Sequence, residues 1–390
     1  MQKILFVTYD FPYPINSGGK SRAYHLMKFV KSADIEILLY SFTRPSYEVS
    51  QNEKLEEIGI SKIFTHPRKP KNPAAFGKSL VSSGSVFKHL YFEETVADEL
   101  NNVCAKEKID SIIFESFYTA FYISEVLRKM GVKQIFGTEN IEHMLYYDLA
   151  HSKSKILSPI YKKQVEKVRR EEERAYREAD TVLAVTPEEK EYIEQKTKTP
   201  VQVIPNGVDT ADLSYEFKQD KGKNLLFVGN FAYFPNIDAM KFFYHEVFLK
   251  MPEAKMTVVG KHQDKLPFLI HDPRVQNIEY VDSLKKLYHD SDVFIFPVRF
   301  GGGTNFKVLE AASCGTPIIA IPDRVKGLGF QPEKHYIPAA SAPEFIAGIE
   351  RLFNHQDLRK TVSEEARALI EKKYDWKEIG RNLGKVLREI

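Results

Sequence analysis

Short apolar runs alternate with amphipathic helical patterns along most of this chain. A first series of candidate strands covers residues 3–8, 35–40, 62–65, 111–115, 134–138, 181–185 and 201–204. A second covers 224–228, 255–259, 275–280, 293–297 and 317–321. Helical patterns fill the intervals, at 21–31, 94–106, 118–130 and 155–179 in the first series and at 236–251, 282–290, 305–314 and 342–353 in the second. Apolar strands separated by helices predict an α/β fold with parallel sheets covered on both faces. The series break at 205–223, where NGVDT leads into the charged, weakly patterned TADLSYEFKQDKGK. That stretch reads as a linker or hinge. It gives a domain over 1–205, a second over 206–362, and a helical tail over 363–390 that carries the only tryptophan, Trp376. The tail is expected to pack back toward the first domain. Two doubly wound domains joined in this way would form a cleft at the C-terminal edges of their strands, where ligands of such sheets bind.

Composition narrows the class. A length of 390 residues exceeds the usual single domain. A net charge of only +3 gives no electrostatic case for nucleic acid. Cys104 and Cys314 are the only cysteines, which argues against a disulfide scaffold and fits a reducing cytoplasm. The opening MQKILFVTYDF reads as a strand entering a loop rather than a signal peptide. No run approaches the roughly 20 apolar residues of a membrane span. No His/Cys/Asp spacing suggests a metal site.

The densest chemistry lies at 299–317, RFGGGTNFKVLEAASCGTP. Glycines after an apolar run open a helix there, so the amides of Gly302, Gly303, Thr304, Asn305 and Phe306 would face the positive end of its dipole, which suits a phosphate. Glu310 follows about a turn and a half into the helix. A carboxylate there can accept hydrogen bonds from sugar hydroxyls, so the segment reads as a nucleotide-sugar cradle. A second glycine loop, PINSGGKSR at 14–22, follows the first strand. Gly18 and Gly19 could form a tight turn, or could present amides to a ligand. Further motifs are GTENIEH (137–143), VTPEEKEYI (185–193), VIPNGVD (203–209) and LFVGNFAYFPNID (226–238), the last containing Gly229 and Asn230.

Together these motifs resemble the family 4 glycosyltransferases of the GT-B fold over nearly the whole chain, in the subset with a GGGT-type donor loop. The resemblance implies two Rossmann-like domains facing across a cleft. It implies retaining transfer of a sugar from a UDP- or GDP-linked donor to a glycan or lipid-linked acceptor, with no metal or other cofactor, in surface polysaccharide assembly. The donor would bind the second domain and the acceptor the first. Glu310 would hold the ribose hydroxyls, and the Gly18–Gly19 loop would approach the diphosphate.

Three positions depart from the common family pattern. Its first of two glutamates would fall at Gly302, its Arg and Lys at Asn230 and Asn236, and its His at Glu139. Charge on the leaving diphosphate must still be neutralised. Lys307 and Arg299 are expected to do this, with Lys261 nearby in the motif. Glu139 could hold sugar hydroxyls or stabilise positive charge on the sugar, or could be a structural carboxylate beside the next helix. Other readings stay open: a sugar-nucleotide epimerase or phosphorylase of the same fold, or a non-catalytic nucleotide- or glycan-binding relative. The basic segments 66–92 and 152–170 suggest peripheral membrane contact at the inner face, or a solvated surface.

Overall fold

The structure, a computed structural model, describes residues 1–30, 34–69, 72–151, 158–217, 222–300 and 306–390. The chain forms two compact units, one of Met1–Asn206 with Ile379–Ile390 and one of Gly207–Glu378.

The first unit holds β1 (Gln2–Thr8), β2 (Ile35–Thr43), β3 (Ile60–Pro67), β4 (Ser111–Glu115), β5 (Lys133–Gly137), β6 (Thr181–Ala184) and β7 (Val201–Val203). They pair in parallel in the order β3-β2-β1-β4-β5-β6-β7. Residues Ile4, Leu5, Phe6 and Val7 are all fully buried, as expected for a strand covered on both faces. The register sets Thr8 beside Glu115 and Glu115 beside Gly137. These three residues form a row at the C-terminal edge, where the strand order reverses between β1 and β4.

The second unit holds β8 (Asn224–Val228), β9 (Lys255–Val259), β10 (Val275–Ile278), β11 (Val293–Phe296), β12 (Ile318–Ala320) and β13 (Ile337–Pro338). Their order is β10-β9-β8-β11-β12-β13, again parallel. The order reverses between β8 and β11. Leu225, Leu226 and Phe227 from β8 and Val293, Phe294, Ile295 and Phe296 from β11 fill the centre of the core.

Several elements differ from the sequence expectation. The helix expected at 118–130 is a single 3₁₀ turn, Ala120–Tyr122, followed by a short helix, Glu125–Lys129. Ser124 breaks it, because its hydroxyl accepts the Leu127 N–H as an N-cap. Helices Pro73–Val81 and Val86–Tyr91 lie within the basic, aromatic segment 66–92. The tail contains two helices, Gln356–Lys373 and Trp376–Glu389.

The described part of the expected linker is packed rather than free. Val208 bridges to Asp375, and the Leu213 carbonyl accepts from Ser313 and from Arg367. The Tyr215 ring covers Gly315. Residues 207–217 therefore belong to the second unit. Gly380 brings the last helix against the Phe29 backbone, where an added Cβ would sit 2.4 Å from the Phe29 carbonyl oxygen. The Leu387 carbonyl accepts from the Gln2 amide at 2.9 Å.

Candidate functional site

In the second unit, the chemistry gathers beyond β8 and β11, the topological switch point of the sheet. Strand β8 ends at Val228, and the Gly229 N–H continues the ladder to the Val259 carbonyl at 2.9 Å. Gly260 has φ +145°, and a Cβ there would lie 1.8 Å from the Gly229 oxygen. Only glycine lets these two backbones approach so closely.

A chain of polar contacts leads from this turn. The Asn236 amide donates to the Asn230 carbonyl at 2.8 Å. Lys307 Nζ donates to Asn236 Oδ1 at 2.9 Å. The same ammonium lies 5.1 Å from the Phe227 ring centre and 5.3 Å from that of Phe296. Burial lowers the Lys307 pKa to about 8, with the Glu310 charge opposing the shift. Lys307 and Glu310 share the helix Phe306–Cys314, whose other face carries the buried Val308, Leu309, Ala311 and Ala312. Tyr288, fully buried, donates its hydroxyl to Glu310 Oε2 at 2.9 Å. Burial raises the Glu310 pKa, while the Tyr288 hydrogen bond and the Lys307 charge resist. The helix thus presents an ammonium and a carboxylate whose positions are fixed by neighbours.

Arg299 is placed differently. It forms a two-pronged ion pair with Asp238, at 2.8 and 2.5 Å, and its guanidinium lies over the Phe242 ring. Its charge is already engaged. The Lys261 ammonium lies over the Tyr280 ring at 5.9 Å, and its carbonyl accepts the Phe231 N–H. Gly302, Gly303, Thr304 and Asn305 lie outside the described residues, and Phe306 opens the helix after them.

In the first unit, Gly18 and Gly19 begin the helix Gly18–Val30. One turn on, Arg22 enters the protein and is only 1% exposed. Its Nε donates to Glu115 Oε1 at 2.5 Å. Its Nη1 donates to the Ile204 carbonyl and to Asn206 Oδ1, at 2.8 and 3.1 Å. Arg22 Nη2 and Glu115 Oε2 are buried with no hydrogen-bond partner among the described residues. Glycines make room for the carboxylates. A Cβ at Gly137 would meet Glu115 Oε2 at 2.3 Å, and one at Gly19 would meet Glu139 Oε1 at 2.5 Å.

Glu139 follows β5 and lies beside this pair. Burial raises its pKa to about 7, and the charges of Glu115 and Glu142 add to the shift against Arg22. Burial likewise raises Glu142 to about 7, although it accepts the Tyr118 hydroxyl at 2.6 Å. Glu172 accepts the Glu142 and His143 N–H groups at the start of the helix Glu142–His151, and also contacts His143 Nδ1 at 2.5 Å. The other ring nitrogen of His143 meets the Tyr192 hydroxyl, so this histidine is held structurally on both sides.

Sequence reading did not single out Arg22, Glu115, Glu172 or Tyr288. Arg22 carried a weak signal, because it lies one helical turn beyond Gly19. Glu115 closes an otherwise apolar strand, SIIFE, which is unusual for an unpaired carboxylate. The sequence also contains an acidic triplet, Asp290–Ser291–Asp292, at the β11 edge. Its Asp292 is 1% exposed and accepts the Asn224 N–H, which makes it a structural residue. Among the described residues, no cluster of His, Cys, Asp and Glu could hold a metal ion, and no helix is long and apolar enough to cross a membrane. Both cysteines are buried free thiols. In the basic helix Ser158–Glu178, Arg169 and Arg170 pair with Glu166, and Arg169 also pairs with Glu173. Lys162 and Lys163 are exposed, and residues 152–157 lie outside the described part.

Two parallel α/β units, each with polar groups at its switch point, define the architecture of a GT-B glycosyltransferase. Residues 17–212 match the family model described as Glycosyltransferase Family 4, and residues 222–355 match Glycosyl transferases group 1. The chain belongs to this family. A glycosyltransferase of Methanocaldococcus jannaschii is 27% identical over 250 residues, 55% of this chain and 62% of that protein. The match therefore spans less than two thirds of that relative. A 44.6 kDa protein of the Klebsiella pneumoniae cps region is 20% identical over 97% of this chain and 98% of its own length. The capsular polysaccharide biosynthesis glycosyltransferase CapM of Staphylococcus aureus is 30% identical over 31% of this chain and 33% of its own. Sucrose-phosphate synthase from Thermosynechococcus elongatus has the same fold, with TM-score 0.72, 16% identity, and coverage of 100% of this chain and 99% of that one. Anabaena HepE in complex with UDP and glucose superposes with TM-score 0.68 at 13% identity, over all of both chains.

Proposed function

We propose that this glycosyltransferase moves a sugar, with retention of anomeric configuration, from a UDP- or GDP-linked donor to a glycan or lipid-linked acceptor. The observation that carries the reading is the Lys307–Asn236 contact. Asn236 occupies the place where the common family pattern has a lysine, and Lys307 brings an ammonium to within 2.9 Å of it. The positive charge has been moved to a different element rather than lost. An ammonium there neutralises the departing diphosphate, commonly a large part of catalysis. Glu310, aimed by Tyr288, takes the ribose hydroxyls. The amides of the 301–305 loop take the phosphates. Glu139 acts on the sugar, either on its hydroxyls or on developing positive charge. The capsule-linked names of the S. aureus and K. pneumoniae relatives support a role in surface polysaccharide assembly. Such a role is expected at the inner face of the membrane, and the exposed Lys162 and Lys163 favour a peripheral contact there.

The test is a melting-temperature screen of nucleoside diphosphates and their sugars, followed by release of nucleoside diphosphate in the presence of candidate acceptors. Binding of UDP or GDP with acceptor-dependent release supports the reading. Donor conversion without acceptor, to an isomer of the donor, would instead identify an epimerase. Binding with no release under any acceptor would leave a non-catalytic binder.

A further inference from the structure

A cavity of about 660 Å³ opens in the first unit beyond the ends of β1, β2 and β3, and no role has been assigned to it. Its lining divides into two chemistries. Tyr9, Tyr91 and Tyr118 form a packed aromatic wall, with ring centres 4.7–5.1 Å apart. Arg44, Arg68 and Lys69 form a basic wall, opposed in the lining only by Glu93.

The three cations are not equivalent. Arg44 is held by Asp10, at 3.0 Å through its Nε. Lys69 is held by Glu93 at 2.5 Å. Arg68 lies over the Tyr9 ring, 3.8 Å from its centre, and comes no closer than 3.7 Å to Asp10. Among the described residues, its side chain makes no hydrogen bond. Its side chain is only 18% exposed. A guanidinium with five donors, largely withdrawn from water and lying over a ring, can offer N–H donors to a planar or tetrahedral anion. The aromatic wall beside it offers apolar faces of the kind that take the C–H face of a pyranose. Tyr118 joins the two regions of the unit, because its hydroxyl bonds Glu142 in the carboxylate cluster beside Glu139.

We infer that this cavity is a subsite for an anionic sugar, whose ring rests on the tyrosine wall and whose carboxylate or phosphate is held by Arg68. The inference rests on the transferase reading, in which the first unit receives the acceptor, and it narrows the acceptor to an acidic saccharide.

Isothermal titration of the full chain with glucuronic acid, glucose 1-phosphate, glucose and inorganic phosphate tests it. The acidic sugars should bind about tenfold tighter than glucose, as expected for a charge-assisted hydrogen bond. Whichever acidic sugar binds tighter identifies the anion. Arg68→Gln should reduce both to the affinity of glucose, and Arg68→Lys should restore part of the difference. Equal binding of acidic and neutral sugars, or an unaltered preference in Arg68→Gln, overturns the subsite. Inorganic phosphate binding as tightly as glucose 1-phosphate overturns the role of the tyrosine wall. UDP- or GDP-induced stabilisation, measured in parallel, separates the two readings. Its retention in Arg68→Gln shows a folded protein with its donor site intact. Its absence from the wild type counts against the proposed transferase and leaves the sugar titrations to decide the cavity.

Discussion

Lys307 donates a hydrogen bond from its ammonium to the side-chain oxygen of Asn236 at 2.9 Å, across elements 71 residues apart. The contact places a cation in the first turn of a helix, where the dipole disfavours it, and over two phenylalanine rings that accept it. An ammonium in such a place is available to an anion that arrives beside it.

Replacing Lys307 with alanine should weaken nucleoside diphosphate binding by tenfold or more, consistent with the loss of a charge-assisted contact of about 1.5–3 kcal/mol. The pH dependence runs in two directions. Diphosphate binding should fall as pH rises through about 8, where Lys307 loses its proton. Stability of the unliganded protein should move the other way. The unfolded lysine holds its proton up to its ordinary value near 10.5, so between about 8 and 10.5 the unfolded state binds more protons and this residue's contribution to stability rises with pH. Thermal melts of wild type and Lys307→Gln across pH 7–10 check this. A parallel pH dependence in both proteins removes Lys307 as its source.

Tyr288→Phe deletes the hydroxyl that aims Glu310 and nothing else of comparable size. Nucleoside diphosphate affinity should drop several-fold, while inorganic diphosphate, which has no ribose, should bind as before. Calorimetric titration of both ligands separates the two effects. Equal losses for both would argue that the tyrosine supports the whole helix.

Glu139→Gln removes a carboxyl whose pKa burial raises to about 7. A raised carboxyl pKa means that the folded state binds more protons between about 4.5 and 7. The stability cost of Glu139 is therefore absent below its unfolded pKa and fully present above pH 7. The variant should melt a few degrees higher than wild type at pH 8 and at the same temperature at pH 4.5. Its transferase activity should fall at least tenfold if the carboxylate acts on the sugar. Unchanged activity with a higher melting point would make Glu139 purely structural.

Two glycine substitutions separate fixed from adjustable contacts. Gly137→Ala drives a methyl into Glu115, which is 2% exposed and pinned to Arg22. It should cost about 3 kcal/mol or more, in the range for breaking a buried ion pair. Gly19→Ala meets the tip of the flexible Glu139 side chain, which no hydrogen bond among the described residues pins, so the carboxylate can swing aside. It should cost under about 1 kcal/mol, because a flexible side-chain tip rather than a pinned ion pair has to move. Urea denaturation of the two variants ranks them, and the opposite order would place the rigid carboxylate at Glu139.

Much of the fold was legible along the chain. Twelve strands were anticipated and thirteen are present among the described residues, because a strand buried on both faces writes a continuous apolar run that few other elements imitate. The short β13 escaped, since two residues give no period to read. The interrupted helix at 118–130 escaped for a different reason: Ser124 was free to be a helix residue until its hydroxyl turned to cap the next segment. That Glu310 and Lys307 share one helix was legible from the pattern at 305–314. The partners of these two residues were not legible, nor was that of Arg299. Arg299 meets Asp238, 61 residues away, and Asn236 meets Lys307, 71 residues away.

By itself the sequence determined nearly all the strands, most of the helices, and the family to which the chain belongs. These are properties of local period and motif, carried by residues a few positions apart. Only the tertiary structure decided which charges meet. The burial of Arg22 with Glu115, the alignment of Glu115 with Gly137, and the contact of Lys307 with Asn236 depend on how strands and helices pack and, at Gly137 and Gly229, on space left by an absent Cβ. Free energies of that kind arise from desolvation and distance in three dimensions, and residues 22 to 93 positions apart do not announce them.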